Sequence, residues 1–179
     1  MIVRPAKDAD VAAVAAIYGH HVLTSTGTFE ETPPSEVEIA ARIAAVRALR
    51  LPYLVAQDEG GRVTGFAYAS VFRPRPAYRY TAEDSVYIHP DCMGRGIGKA
   101  LVAEVIAACA TLGVRQMIAV IGDSANAGSI GLHRSLGFGD AGVGRAFGFK
   151  FGRWVDVVWM QKTLGPGSDA PPTGDGLAL

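Results

Sequence analysis

The sequence predicts an α/β (α+β) fold in one domain, and three observations carry that prediction. The chain has 179 residues, about the length of a single domain, with 49% apolar and 19% charged residues as in an ordinary folded protein. Alternating apolar and polar runs, typical of strands, are interleaved with runs of helical spacing along the whole chain. Glycine is enriched, at 22 residues, and Gly94, Gly96 and Gly98 fall together between a predicted strand and a predicted helix.

Met1 to Arg4 reads as a short strand, after which Asp8 or Asp10 can cap a helix with Val11, Val14, Ile17 and Tyr18 on its apolar side. A polar, threonine-rich loop runs from Thr24 to Thr32. Ser35 and Glu38 then have the spacing of a capping box, opening a helix with Val37, Ile39, Ile43, Val46 and Leu49 on one side. Tyr53 to Gln57 and Val63 to Phe72 are β-rich runs separated by Asp58, Glu59, Gly60 and Gly61, a hairpin signature in which Gly65 marks a bulge. Residues 73–80 hold two prolines, three arginines and two tyrosines without periodicity and read as a loop.

The next strand is Glu83 to His89, ended by Pro90; alternation sets Glu83, Ser85, Tyr87 and His89 on one face and Val86 and Ile88 on the other. A long helix follows the glycine cluster, with the stripe Ile97, Leu101, Val105, Ala108 and Leu112 and a stop at Gly113. Val114 to Ile121 is a near-continuous apolar run, as in a buried strand. Asn126 to Leu136 reads as a helix stopped by Gly137, and Trp154 to Gln161 as a last strand. One domain over residues 1–164 results, with residues 165–179 too poor in apolar side chains to order themselves and expected to be a disordered tail.

Seventeen basic and seventeen acidic side chains cancel, so the chain lacks the charge footprint of a nucleic-acid or anionic-membrane binder. No stretch approaches the length of an apolar membrane span, and Met1 to Asp10 carries charges where a signal peptide needs an apolar run, so a cytoplasmic protein is expected. Cys92 and Cys109 are too few for a disulfide scaffold and are read as reduced thiols, and no Cys/His spacing suggests zinc or another metal.

A strand, a glycine cluster and a helix in that order make an anion site, because the first NH groups of the helix have no intrahelical partner and glycine permits close approach. The same glycines could serve only as a helix entry. A P-loop ending at Gly98 and Lys99 fails at Met93 and Ala100, and a dinucleotide fingerprint starting at Gly94 fails at Lys99. What fits is Met93-Gly94-Arg95-Gly96-Ile97-Gly98, which resembles the pyrophosphate loop of the GCN5-related N-acetyltransferases, with Met93 in place of their usual Gln or Arg. Asn126 and Gly137-Phe138 flank the next helix as in that family, while its usual helix Tyr is His133 here. Residues 24–29, 73–90, 119–122, 132–133, 136–138 and 148–154 resemble the phosphinothricin and methionine sulfoximine N-acetyltransferase subgroup, over residues 2 to 164.

This resemblance implies a GNAT fold: a mixed, mostly antiparallel sheet with helices on both faces, splayed between the strands at 83–89 and 114–121 to admit acetyl-CoA. It implies cofactor contacts at Val86, Tyr87, Ile88, Met93, Gly94, Arg95, Gly96, Ile97, Gly98, Lys99, Asn126 and Ser129, and an amino-acid pocket at Phe29, Arg73, Arg75, Tyr78, Tyr80 and Tyr87. Read by itself, Glu83 is either an edge carboxylate or a base for a protonated amine, and the resemblance favours the base. His133 is either a packed side chain or a proton carrier, and the resemblance favours the carrier without saying whether it acts as acid or base. His20 and His21 are read as surface, His89 as a strand end, and Cys92 as without a role. The implied reaction is direct transfer from acetyl-CoA to the α-amino group of a small amino acid, in a protein expected to be a homodimer. A transferase for another small amine and a non-catalytic CoA-binding sensor are the alternatives.

Overall fold

The computed structural model describes residues 1–178, and among them one seven-stranded sheet carries four helices. The strands are β1 (Ile2–Pro5), β2 (Tyr53–Gln57), β3 (Val63–Val71), β4 (Thr81–Ile88), β5 (Gln116–Gly122), β6 (Gly139–Lys150) and β7 (Arg153–Thr163). The helices are α1 (Val11–Thr24), α2 (Glu36–Ala48), α3 (Ile97–Thr111) and α4 (Ala127–Ser135). Strand order is β1-β2-β3-β4-β5-β7-β6, and every neighbouring pair is antiparallel except β4 and β5.

Two cores cover the two sheet faces. Val14, Ile17, Tyr18 and Val22 of α1 and Ile39 and Ile43 of α2 pack with Tyr53, Val55 and Phe66 on one. Leu101, Val102, Val105 and Cys109 of α3 pack with Ala67, Ala82, Met117 and Met160 on the other. The stripe of α3 therefore runs to Cys109 rather than Ala108. The capping box of α2 forms as its spacing predicts, with Glu38 N–H donating to Ser35 Oγ at 3.2 Å and Ser35 N–H to Glu38 Oε2 at 2.7 Å. Asp10 departs from expectation: its carboxylate accepts from Arg4 Nη1 at 2.7 Å and Lys7 N–H at 2.7 Å and makes no cap to α1. The bulge lies where β2 and β3 slip register, beside Gly65, whose missing Cβ would approach Ile88 Cδ1 to 2.7 Å.

Two segments differ from the sequence reading. The first is β6, hidden because its sequence is glycine-rich and its pairing with β7 is broken by two register shifts. The second is the C-terminal segment, which has no strand or helix but is tied down. Leu177 is 6% exposed and its N–H donates to Arg79 O at 2.7 Å, Tyr80 Oη donates to Gly174 O at 2.6 Å, and Arg115 Nη1 donates to Gly167 O at 3.2 Å. One buried leucine with backbone partners on a neighbouring loop supplies what average composition does not reveal. No helix among the described residues is long and apolar enough to cross a membrane.

Candidate active site

The parallel pairing of β4 with β5 lasts only from Thr81↔Gln116 to Asp84↔Ala119, and beyond Asp84 the two strands separate. A cavity of about 790 Å³ occupies that fork, lined by β4 from Asp84 to Ile88 and by β5 from Ala119 to Gly122. Its far wall is the start of α3 and one side of α4. Its roof is the loop after α1, where Thr26 comes so close to Gly122 that a Cβ there would strike the Thr26 carbonyl. Lys150 holds this loop from β6, its Nζ donating to Ser25 O at 2.9 Å and Thr28 O at 2.8 Å.

Gly94 and Gly96 have φ of +73° and +77°, the left-handed region that glycine enters without strain. A Cβ at either would meet nothing within 4 Å among the described residues, so both present bare backbone to open space at the N-terminus of α3. Gly98 has a different task, because a Cβ there would come within 2.6 Å of Leu132 Cδ1 and push α4 away from α3. Such a cradle of NH groups, with the exposed Lys99 beside it, fits a pyrophosphate.

Of the expected cofactor residues, Val86, Tyr87, Ile88, Met93, Gly94, Gly96, Ile97, Gly98, Lys99, Asn126 and Ser129 line the cavity. Arg95 is exposed and outside the lining. Asn126 also caps α4, accepting from Ser129 N–H at 3.1 Å. Of the expected amino-acid pocket only Tyr87 lines the fork. Phe29 lies between Gly148 of β6 and Gly122, the last lining residue of β5, Tyr80 is engaged by the C-terminal segment, and Arg73, Arg75 and Tyr78 stand on the exposed loop before β4. There Arg73 and Tyr78 both flank the Phe72 ring, and the Arg73 charge is felt by Glu83.

Because β3 and β4 pair without a register shift, Glu83, Ser85 and Tyr87 share one face of β4 and Asp84, Val86 and Ile88 share the other. Tyr87 stacks on Phe66 and meets Tyr18 edge-on, so its face is the α1/α2 face; Val86 and Ile88 pack on the α3 core. Glu83 therefore stands on the α1/α2 side at the base of the fork, paired with Ile118 one residue before the strands part, and is itself outside the cavity lining. Burial raises its carboxyl to about 7, the adjacent Asp84 charge adds to the rise, and Arg73 opposes it. On the opposite side His133, 3% exposed, places Nε2 3.0 Å from Asp84 Oδ2 and Nδ1 2.8 Å from Ser129 O. Burial lowers the imidazole, but hydrogen bond and charge from Asp84 and the Ser129 carbonyl outweigh it, and the net direction is upward.

Two residues of the site escaped the sequence reading. Asp84 could have been found, since it is a charged residue on the otherwise apolar face of β4. His21 could not: read as surface, it lines the cavity and its Nε2 lies 2.8 Å from Ile88 O, a partner 67 residues away. His89 behaves as a strand end, its side chain accepting from Asp91 N–H at 3.2 Å. Cys92 and Cys109 are buried free thiols.

An open α/β sheet forked over a bare-backbone anion cradle, with a carboxyl held near neutrality at the fork, defines an acyl-CoA-dependent transferase. The chain belongs to the acetyltransferase (GNAT) family, whose model matches residues 15–138. It is an acetyltransferase, and acetyl-CoA is its acetyl donor. It is similar to a phosphinothricin N-acetyltransferase of Alcaligenes faecalis, with 51% identity over 170 residues, 95% of this chain and 86% of the relative. Similarity to an L-methionine sulfoximine/L-methionine sulfone acetyltransferase of Pseudomonas aeruginosa is 41% over 172 residues, covering 94% and 98%. A crystal structure of a phosphinothricin acetyltransferase from Sinorhizobium meliloti in complex with acetyl-CoA superposes with a TM-score of 0.94 at 49% identity, over 98% of this chain and 94% of that one.

Proposed function

We propose that this chain acetylates the α-amino group of a small amino acid of the phosphinothricin, methionine sulfoximine or methionine sulfone type. Glu83 serves as general base and His133 as proton donor. The observation that carries the mechanism is Glu83 itself, half-buried at the base of the fork with its carboxyl raised to about 7. An α-amino group with a pKa of about 8 arrives mostly protonated, and a carboxyl at about 7 can take that proton, directly or through water, while itself partly ionised at neutral pH.

Substrate choice is supported by the relatives' activities and by Arg73, Arg75 and Tyr78 on the loop beside Glu83. Their guanidinium and phenol groups suit the carboxylate and the second oxyanion or sulfonyl group of such an amino acid. The cofactor is held by the bare backbone of Gly94 and Gly96, with Val86 to Ile88 offering strand edge and Asn126 and Ser129 lining the α4 side. A cytoplasmic homodimer completes the proposal. The dimer is supported by the aromatic edge hairpin of β6 and β7, where Phe147 is 65% and Trp154 64% exposed with Phe149 and Phe151 beside them. Sedimentation at twice 18.8 kDa is expected, and a monomer at micromolar concentration contradicts the dimer.

Thiol release from acetyl-CoA, measured side by side with phosphinothricin, methionine sulfoximine, methionine sulfone and the common amino acids, tests the substrate. Highest kcat/KM with the first three is expected. Preference for an unrelated amine moves the chain to another substrate, and no turnover with any amine leaves a CoA-binding sensor.

A further inference from the structure

The hydrogen bonds of His133 engage a residue beyond those already assigned. The Ser129 carbonyl can only accept, so at 2.8 Å from it Nδ1 carries a hydrogen. At Nε2 the neighbour is a carboxyl oxygen of Asp84 at 3.0 Å, and two bare acceptors at that distance repel, so a second hydrogen lies between them. The pair thus holds one more proton than a neutral imidazole beside an ionised carboxylate. Nothing else neutralises Asp84: its side chain is fully buried, and Oδ1 has no partner among the described residues. Phe138 closes the imidazole edge-on from behind.

We propose that Asp84 is a positioning residue of the transfer reaction, clasping His133 at the fork of the sheet and keeping the pair loaded with the proton that the departing CoA thiolate takes. Asp84 is the last residue of β4 paired with β5, so the clasp joins α4 to β4 where the sheet opens. The proposal rests on the reading of the chain as an amine acetyltransferase. In the reaction the amine nitrogen forms a bond to the acetyl carbon, the C–S bond breaks, and its electron pair leaves on sulfur. The ammonium first gives one proton to Glu83, which passes it to solvent, and once the C–N bond has formed the nitrogen loses a second proton, again to Glu83. The imidazolium gives one to sulfur from Nδ1, whose hydrogen turns from the Ser129 carbonyl to the Ser129 hydroxyl, 3.4 Å away, as the relay; both residues line the cavity. Glu83 then returns its proton to the pair through solvent, and the cycle closes with no net change in the protein.

Other ionisable groups near the clasp are few. Glu83 adjoins Asp84 on the opposite face of β4, and Cys109 of α3, its thiol raised to about 12, feels the Asp84 charge. β5 contains no titratable side chain, and Arg134, the other ionisable group of α4, is paired with Asp140 at the surface.

Asp84→Asn tests the proposal, because the amide can donate to Nε2 of a neutral imidazole, preserving the contact while removing charge and extra proton. The expected result is kcat lowered about tenfold or more, with acetyl-CoA affinity within about twofold and the alkaline limb of the kcat–pH profile moved to lower pH. Unchanged kcat and profile in a folded variant overturn it. Nitrogen-15 shifts of His133 in the wild-type protein decide the matter without any variant. An imidazolium with both nitrogens protonated at pH 7 is expected, and a neutral ring overturns the proposal. Failure of the amine panel leaves that spectrum unaffected, so the two readings fail separately.

Discussion

At Gly96 the conformation and the surroundings ask for different things, which makes it a sensitive probe of the anion cradle. Its φ of +77° tolerates Asp better than most residues, at a cost of about 1 kcal/mol, and a side chain there meets no protein atom within 4 Å among the described residues. Gly96→Asp is therefore expected to fold, with a melting temperature lowered by only a few degrees. It should lose at least about tenfold in acetyl-CoA affinity by calorimetry, because its carboxylate faces the pyrophosphate at a helix N-terminus. Undiminished affinity in the folded variant would place the cofactor elsewhere. The contrast with Gly98 shows how far single residues are legible: both stand in one glycine motif, yet a Cβ at Gly98 would crowd Leu132 of α4 and touch Ile88 of β4, contacts that only the fold brings together. Asp84 was readable as a charge on an apolar face, whereas His21 was not, since its partner is a distant backbone carbonyl.

Elements were legible where local chemistry and packing agree. The capping box of α2 appears as its spacing requires, the apolar stripe of α3 appears through Ile97, Leu101 and Val105 and then shifts to Cys109, and β5 appears where a continuous apolar run predicts it. Strand β6 was not, because Gly139, Gly142, Gly144 and Gly148 give it no strand preference and its conformation comes from pairing with β7. Likewise the C-terminal segment is ordered by contacts that composition does not register. Leu177 joins the α3 core, and Gly176 approaches Arg79 O so closely that a Cβ would lie 2.7 Å away. Deleting residues 166–179 removes a buried leucine worth about 1.5–3 kcal/mol, so the melting temperature should fall by several degrees, at about 2–4 °C per kcal/mol. The KM for the amino acid should rise with it, since the segment holds Arg79 and Tyr80 at the end of the loop that carries Arg73 and Arg75. A truncated chain with unchanged melting temperature and KM would show that these contacts do not hold in solution.

For the molecule as a whole, the sheet divides the reaction. Its α1/α2 face carries Glu83, its α3/α4 face carries the clasp of Asp84 and His133, and the fork between β4 and β5 is where the two faces communicate. Membership of the family and the splayed architecture could be read from the glycine motif and the ordered segments that accompany it. The division of labour could not, because it depends on which face each side chain of β4 takes and on the exact residue at which pairing with β5 stops. The kcat–pH profile of Glu83→Gln tests this division most directly. In the wild type kcat is expected to fall as pH drops through about 7, because the base is active only when ionised and its carboxyl takes up a proton there. In Glu83→Gln that limb should vanish and kcat at pH 7 should drop by about a hundredfold to ten-thousandfold. Activity should recover partly toward the amine pKa of about 8, with acetyl-CoA affinity unchanged. Near-normal turnover by Glu83→Gln at pH 7, with the acid limb still in place, would contradict a base on the α1/α2 face.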